Sequence, residues 1–348
     1  MNQTRRNFLQ STLLATLATR LGPTLVAAGA PPALLKPRRL VAGATVGLVS
    51  PASATWVSEE LTIAQETLAA LGLKVKTGAH ALDRHGYLAG TDAARAADLN
   101  AMFADDTVDA ILCIRGGWGS NRILSLLDYK SIAAHPKILM GYSDITGLLT
   151  AIHARTGLVT FHGPVGVSTW TDFSLDAMRR VLFKGEAITM ENPRKVGEAG
   201  VVTRDRIQTI TPGTARGRLV GGNLTVLTAM LGSDYLPDWN GAILFLEDTN
   251  ENIYRIDRML TQLKLAGVLD RIGGFVFGKC TKCTAGDNNY GSLTLEEVLA
   301  EHVRPLKVPA WQGAMIGHID SQFTVPVGLR AEIDAQRGSI TLLESAVR

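Results

Sequence analysis

From residue 40 onward the chain alternates between short apolar runs and longer stretches in which apolar residues recur every three or four positions. Residues 40–50 (LVAGATVGLVS) are β-rich and run into Pro51, and residues 58–71 have helical spacing, so a strand–loop–helix unit opens the fold. Residues 74–79 predict a second strand and 92–103 an Ala-rich helix. Residues 109–114 (DAILCI) are apolar enough to be a strand buried on both faces. A glycine-rich turn at 115–121 leads to a helix over 122–127; a strand follows at 138–140, and Ile145, Leu148, Leu149 and Ile152 mark the next helix. A strand at 158–161 and a helix at 174–185 complete this half. Strands alternating with helices predict an α/β fold with a parallel sheet covered on both faces, its site built at the carboxyl ends of the strands.

Residues 186–208 are polar and poorly periodic, which predicts a linker or connecting excursion. The expected layout is an N-terminal α/β domain over 40–190, a linker over 191–212 and a C-terminal domain over 213–345. In the latter, glycines 217, 221 and 222 surround a short strand, and a helix follows at 223–231. AILFL at 242–246 is a buried strand, 254–263 an amphipathic helix and 272–277 another strand. The apolar run 311–316, an alternation over 327–334 and a strand over 339–343 end the chain.

A length of 348 residues suits one large domain or two moderate ones. The net charge of +3 is spread over many Lys, Arg, Asp and Glu, so no basic field exists for DNA or RNA, and no nucleic-acid partner is expected. Thr4-Arg5-Arg6-Asn7-Phe8-Leu9 is a twin-arginine pattern. The moderately apolar stretch 11–30 behind it ends at Ala28-Gly29-Ala30, a candidate cleavage site, so residues 1–35 are expected to be an export signal and the mature protein periplasmic. Arg20 and Pro23 interrupt that stretch, which argues against a stable membrane span. The three cysteines do not make a disulfide framework. Cys280-Thr281-Lys282-Cys283 has the spacing of a redox pair or half a zinc site, but it follows a strand and no second pair completes a metal site. A structural pair, oxidised after export, is expected.

Candidate chemistry centres on Gly141-Tyr142-Ser143-Asp144, between the strand at 138–140 and its helix. A sharp strand-to-helix turn holds its residue proud of the sheet beside free helix N–H groups, which places Ser143 like a nucleophile. The same Ser-Asp pair also fits a helix N-cap. Arg115-Gly116-Gly117-Trp118-Gly119 lies on the same sheet edge, where an N–H of Gly116 or Gly117 could join that of Asp144 to receive an oxyanion. A phosphate-binding turn lacks its G-x-G-x-x-G order here, and a plain glycine turn is the other reading. A serine needs a base and the base an orienting group. Of the seven histidines, His318 follows Gly317 after an apolar run and projects from a loop, with His162 before Gly163-Pro164 as its rival. Glu247, at the end of AILFL, is the acid best delivered by rigid structure. The order Ser143, Glu247, His318 is that of α/β-hydrolases, but Ile145 stands where their second glycine would be.

These residues resemble the L,D-carboxypeptidases of the muramoyltetrapeptide carboxypeptidase type, whose members include the microcin C immunity proteins. The likeness covers nearly all of 40–335, through Arg115-Gly-Gly-Trp-Gly, Gly141-Tyr-Ser-Asp, His162-Gly-Pro, Gly221-Gly-Asn-Leu, Phe245-Leu-Glu-Asp, Tyr254-Arg-Ile-Asp-Arg and Gly317-His318. The resemblance implies Ser143 as nucleophile, His318 as base and Glu247 as its orienter, with the oxyanion hole at the N–H groups of Asp144 and Gly117. It also implies a Rossmann-like N-terminal domain joined to a C-terminal domain of swivelling β/β/α type, often in homodimers. The implied activity is hydrolysis of an L,D-amide, releasing terminal D-Ala from a murein tetrapeptide, without metal or organic cofactor. The terminal carboxylate of such a small peptide needs a cation, for which Arg115 is the candidate, its other reading being a brace for the glycine loop, with Gly116 and Trp118 beside it in the substrate loop. Trp118 stands where Tyr is frequent in the family, Asp248 where Glu is, and many relatives lack an export signal. Cleavage of peptidyl-nucleotide antibiotics is the rival activity, with Trp170, Trp239 or Trp311 to stack on a base, and a non-catalytic muropeptide-binding protein is the third reading.

Overall fold

Runs such as TVGLV and ILMG are too apolar to face water on either side, and they become the centre of a covered sheet. The computed structural model describes residues 32–194, 196–197, 200–286 and 291–348. Residues 1–31 of the expected export signal lie outside the described residues. Leu35 bridges in parallel to Leu158.

The first strands are β1 (Thr45–Val49), β2 (Lys74–Thr77), β3 (Ala110–Cys113), β4 (Ile138–Gly141) and β5 (Thr160–His162). They are followed by β6 (Thr189–Glu191), β7 (Gln208–Thr211), β8 (Thr214–Asn223), β9 (Ile243–Thr249) and β10 (Gly274–Thr281). The last are β11 (Ala310–Gln312), β12 (Val325–Val327), β13 (Arg330–Asp334) and β14 (Ser339–Leu342). One sheet has the order β12-β5-β4-β3-β1-β2 and the other β6-β14-β13-β8-β9-β10-β11-β7. The first is parallel as expected except at β12, which arrives from the far end of the chain and pairs antiparallel with β5. In the second, β8 to β11 run parallel and the flanking strands antiparallel.

Three expectations change in detail. The helix over 122–127 is a 3-10 turn, Ser120–Leu126, pinned by Asn100, whose side chain donates to the Leu126 carbonyl at 3.0 Å. The excursion over 186–208 begins and ends in β6 and β7, edge strands of the second sheet too short to show a period. The alternation over 327–334 runs unbroken through Gly328, yet the strand does not, and its two ends belong to different sheets. There Leu219 exchanges backbone hydrogen bonds with Gly328 and Leu329, and the two sheets meet.

The core follows the same logic. Helix Ile253–Leu265 buries Ile253, Ile256, Met259, Leu260 and Leu263 on one stripe and packs with Leu295–Val303 over the second sheet. Helix Thr146–Thr156 is buried along most of its length because it sits between the two sheets. The element that follows the Ser143 turn is therefore clamped from both sides.

Candidate active site

Ser143 sits at the end of the fully buried β4 in a left-handed conformation, φ +63°. A non-glycine residue avoids that region unless its surroundings enforce it, and here the turn lifts the side chain off the sheet edge. The capping alternative is not realised: neither Ser143 nor Asp144 caps the helix that follows. Asp144 instead accepts the Ser120 N–H at 2.7 Å, and burial raises its pKa against that bond.

The second sheet supplies the partners. Glu247 ends the apolar part of β9 with no exposed surface, and its Oε2 lies 2.8 Å from His318 Nδ1. His318 Nε2 lies 2.9 Å from Ser143 Oγ. A buried carboxylate facing Nδ1 assigns the proton to that nitrogen, leaving Nε2 free to accept from the serine hydroxyl. Gly317 makes the approach possible: its φ is +118°, and a Cβ there would stand 2.7 Å from Glu247 Oε2. Burial disfavours charge on His318, yet the Glu247 hydrogen bond and the charges of Glu247 and Asp248 outweigh it, and the pKa is raised. The Thr281 hydroxyl donates to the His318 carbonyl at 2.8 Å, and the flanking Cys280 and Cys283 form a disulfide, the structural pair expected from their spacing.

The rival His162 has no exposed surface and no hydrogen bond to Ser143; its ring packs edge-on against Phe245 and Tyr142, and burial pushes its pKa down to about 4. Tyr142 also presents its ring to His318, centroids 5.0 Å apart.

The glycine loop stands where it was expected. A Cβ on Gly116 would lie 3.0 Å from Ser143 Cβ and 3.4 Å from Asp144 N. Gly117 has φ +110° and packs on Ser53, whose Oγ accepts the Trp118 N–H at 3.0 Å. The Trp118 amide is thus already engaged, while its side chain is exposed. Arg115 donates to the Ala54 carbonyl at 3.3 Å and to Glu60 Oε2 at 3.2 Å, bracing the loop after β1. A cleft of about 190 Å³ joins Gly117, Trp118, Ser143 and Asp144 to Asn223, Thr225, Asp248 and Glu251.

Two buried residues enter that sequence reasoning did not assign. Arg95 is 1% exposed; it donates to the Gly119 carbonyl at 2.8 Å, to the Pro51 carbonyl and to Asp92, tying the glycine loop to the loop after β1. Its signal was positional: with Leu99, Met102 and Phe103 it falls on the buried face of Asp92–Ala104, where an arginine needs hydrogen-bond partners, and both of its terminal nitrogens find them while Nε does not. Asn223, 4% exposed, donates to both Glu247 and Asp248.

Residues 46–163 match the LD-carboxypeptidase N-terminal domain and residues 216–333 the LD-carboxypeptidase C-terminal domain. The "Probable murein peptide carboxypeptidase" of Bacillus subtilis is 42% identical over 306 residues, covering 86% of this chain and 91% of that protein. The murein tetrapeptide carboxypeptidase of Pseudomonas aeruginosa is 32% identical, covering 84% of this chain and 94% of that protein. Among solved structures, the apo form of the microcin C7 self-immunity protein MccF, known from Escherichia coli, aligns with a TM-score of 0.81 at 28% identity, covering 90% of this chain and 100% of that one. The two matched domains and this identity along most of the length establish that the chain belongs to the LD-carboxypeptidase family of peptidases.

Proposed function

We propose that the chain is a serine L,D-carboxypeptidase that releases terminal D-Ala from murein tetrapeptides. The observation that carries this reading is the unbroken line from Glu247 Oε2 through His318 to Ser143 Oγ, at 2.8 and 2.9 Å. Ser143 attacks the amide carbonyl while His318 Nε2 takes its proton, and the Glu247 charge stabilises the imidazolium that forms. The N–H groups of Asp144 and Gly117 receive the developing oxyanion. His318 then protonates the leaving D-Ala amine, and the same imidazole activates the water that frees the acyl group. Arg115, Gly116 and Trp118 line the approach for the peptide; with Arg115 engaged by Glu60, its contribution is to brace the loop as well as to offer charge.

The names of the Bacillus and Pseudomonas relatives support murein peptide as the substrate class. The twin-arginine pattern supports action in the periplasm, where wall fragments are met. The 0.81 TM-score to MccF, solved also with aspartyl sulfamoyl adenosine, favours aminoacyl nucleotides as the second reading. Incubating the mature enzyme with a defined tetrapeptide beside an aminoacyl sulfamoyl nucleoside decides between them. Loss of D-Ala from the first with the second intact is the expected outcome; the reverse overturns the murein reading.

A further inference from the structure

The carboxylate that orients His318 does not stand alone. Asp248 follows it on β9, 2% exposed beside the fully buried Glu247. One side chain bridges the two. Asn223, the register partner of Glu247 on the neighbouring β8, donates through Nδ2 to Glu247 Oε1 at 3.2 Å and to Asp248 Oδ1 at 3.1 Å. Its Oδ1 accepts the Val226 N–H at 3.1 Å, which fixes the end of the amide that faces the acids. Its own N–H donates to Thr146 Oγ1 at 2.9 Å, on the helix that follows Ser143.

Asp248 is anchored in turn. Its Oδ2 accepts the Thr225 N–H at 3.0 Å and the Thr225 hydroxyl at 2.9 Å, and its Oδ1 accepts the Thr249 N–H at 2.8 Å. Both N–H donors of the Asn223 amide are therefore spent on carboxylates, one on each. Glu247 presents one oxygen to His318 and the other to that amide, so its carboxylate plane is held at two points. Without the amide, the two buried carboxylates would lose the one donor group that they share.

We propose that Asn223 and Asp248 are positioning residues of this hydrolase: Asp248 locks the Asn223 amide, and the amide holds Glu247 in the plane that aims His318 at Ser143. The inference rests on the serine reading of the site. The groups facing Asp248 and Glu247 are His318 and His162, Tyr142 beside them, and Glu251, which shares the Thr225 hydroxyl and pairs with Arg255. Burial, with the neighbouring Glu247 charge, pushes the Asp248 carboxyl up to about 6 against its hydrogen bonds. Above that value Asp248 is an anion that helps to hold a proton on His318. Removing its charge lowers the His318 pKa, and the acid limb of activity moves to lower pH. A residue that merely propped the fold would leave that limb where it was.

The test uses two variants. Asp248→Asn keeps the shape and removes the charge, and Asn223→Ser keeps an oxygen for the helix cap while replacing the amide that reaches both carboxylates by a single, shorter hydroxyl donor. A fluorophosphonate measures the activation of Ser143 as a second-order rate across pH, whatever the natural peptide; kcat and KM are taken on the murein tetrapeptide. Both variants are expected to label at least about tenfold more slowly and to lose kcat with KM within about threefold, as for an interaction made in the transition state. The Asp248→Asn limb is expected about half a pH unit or more lower. The double variant is expected within about threefold of the slower single, because both act through one contact. A labelling rate within twofold of native, an unmoved limb in folded Asp248→Asn, or rates that multiply in the double variant overturns the proposal. If Asp248→Asn does not melt cooperatively, the rate and the kcat-against-KM split of Asn223→Ser decide alone. A native enzyme that does not label overturns the serine reading and this inference with it, whereas native labelling with unaffected variants overturns the inference only.

Discussion

Replacing Glu247 with glutamine changes one atom and removes one charge, and the surroundings leave the new side chain no good orientation. Glu247 Oε2 faces His318 Nδ1 at 2.8 Å, and Oε1 faces the Asn223 amide at 3.2 Å. A glutamine has one acceptor oxygen for these two donors. If its oxygen turns to His318, its amide confronts that of Asn223, a buried donor pair costing about 1–3 kcal/mol. If its amide turns to His318, the imidazole must carry its proton on Nε2 and cannot accept from Ser143. In either case the forming imidazolium loses a counter-charge roughly 4 Å from its centre, worth about 4 kcal/mol at an effective dielectric near 20. That corresponds to a rate loss of about 10³. Steady-state kinetics on a murein tetrapeptide should show kcat down by about that factor with KM changed only a few-fold, since the interaction belongs to the transition state. The pH profile supplies the sign. Burial alone lowers the His318 pKa and Glu247 is the chief group raising it, so the variant's acid limb must move to lower pH than the native limb. A kcat within tenfold of native, or a limb that moves up, would refute the reasoning.

Gly317→Ala places a methyl 2.7 Å from Glu247 Oε2 at φ +118°; strain of about 1–3 kcal/mol should appear as a lowered Tm. A shift of about 1 Å in His318 should cost kcat about 10²-fold, and an unchanged kcat in a folded variant would contradict the close packing seen here. Replacing Cys280 and Cys283 by serine opens a short loop, a loss of about 2 kcal/mol in the loop-closure account, read as a Tm lower by several degrees. Because Thr281 inside that loop holds the His318 carbonyl, kcat should fall as well. Activity and Tm both indifferent to the substitution would contradict a structural role for the disulfide.

Local pattern made the central strands and the Ser143 turn legible, because a run such as ILMG followed by a helical period admits few other readings. The ends of elements were less so: β6, β7 and β12 have three or four residues each, and a period of two cannot be recognised over so short a span. The crossing at Gly328 was hidden for a different reason, since alternation continues through it while the chain changes sheets. In the site, Ser143 and Glu247 were recognisable because each stands at the end of a strand, and His318 because it follows a glycine in the loop after an apolar run. Arg95 and Asn223 act on main-chain carbonyls and neighbouring carboxylates rather than on substrate, and such roles depend on tertiary neighbours far away in sequence. Arg115 shows the converse: a charge beside the glycine loop is plain in the sequence, while its engagement by Glu60, 55 residues away, is not.

Whether Ser143 is the acylated residue of a peptidase cutting before a terminal D-amino acid is decided by mass spectrometry of a defined murein tetrapeptide after incubation with native enzyme and with Ser143→Ala. The native protein should remove one D-Ala mass, and a variant that melts like the native protein should leave the tetrapeptide intact. Tripeptide formed at the native rate by Ser143→Ala would contradict it.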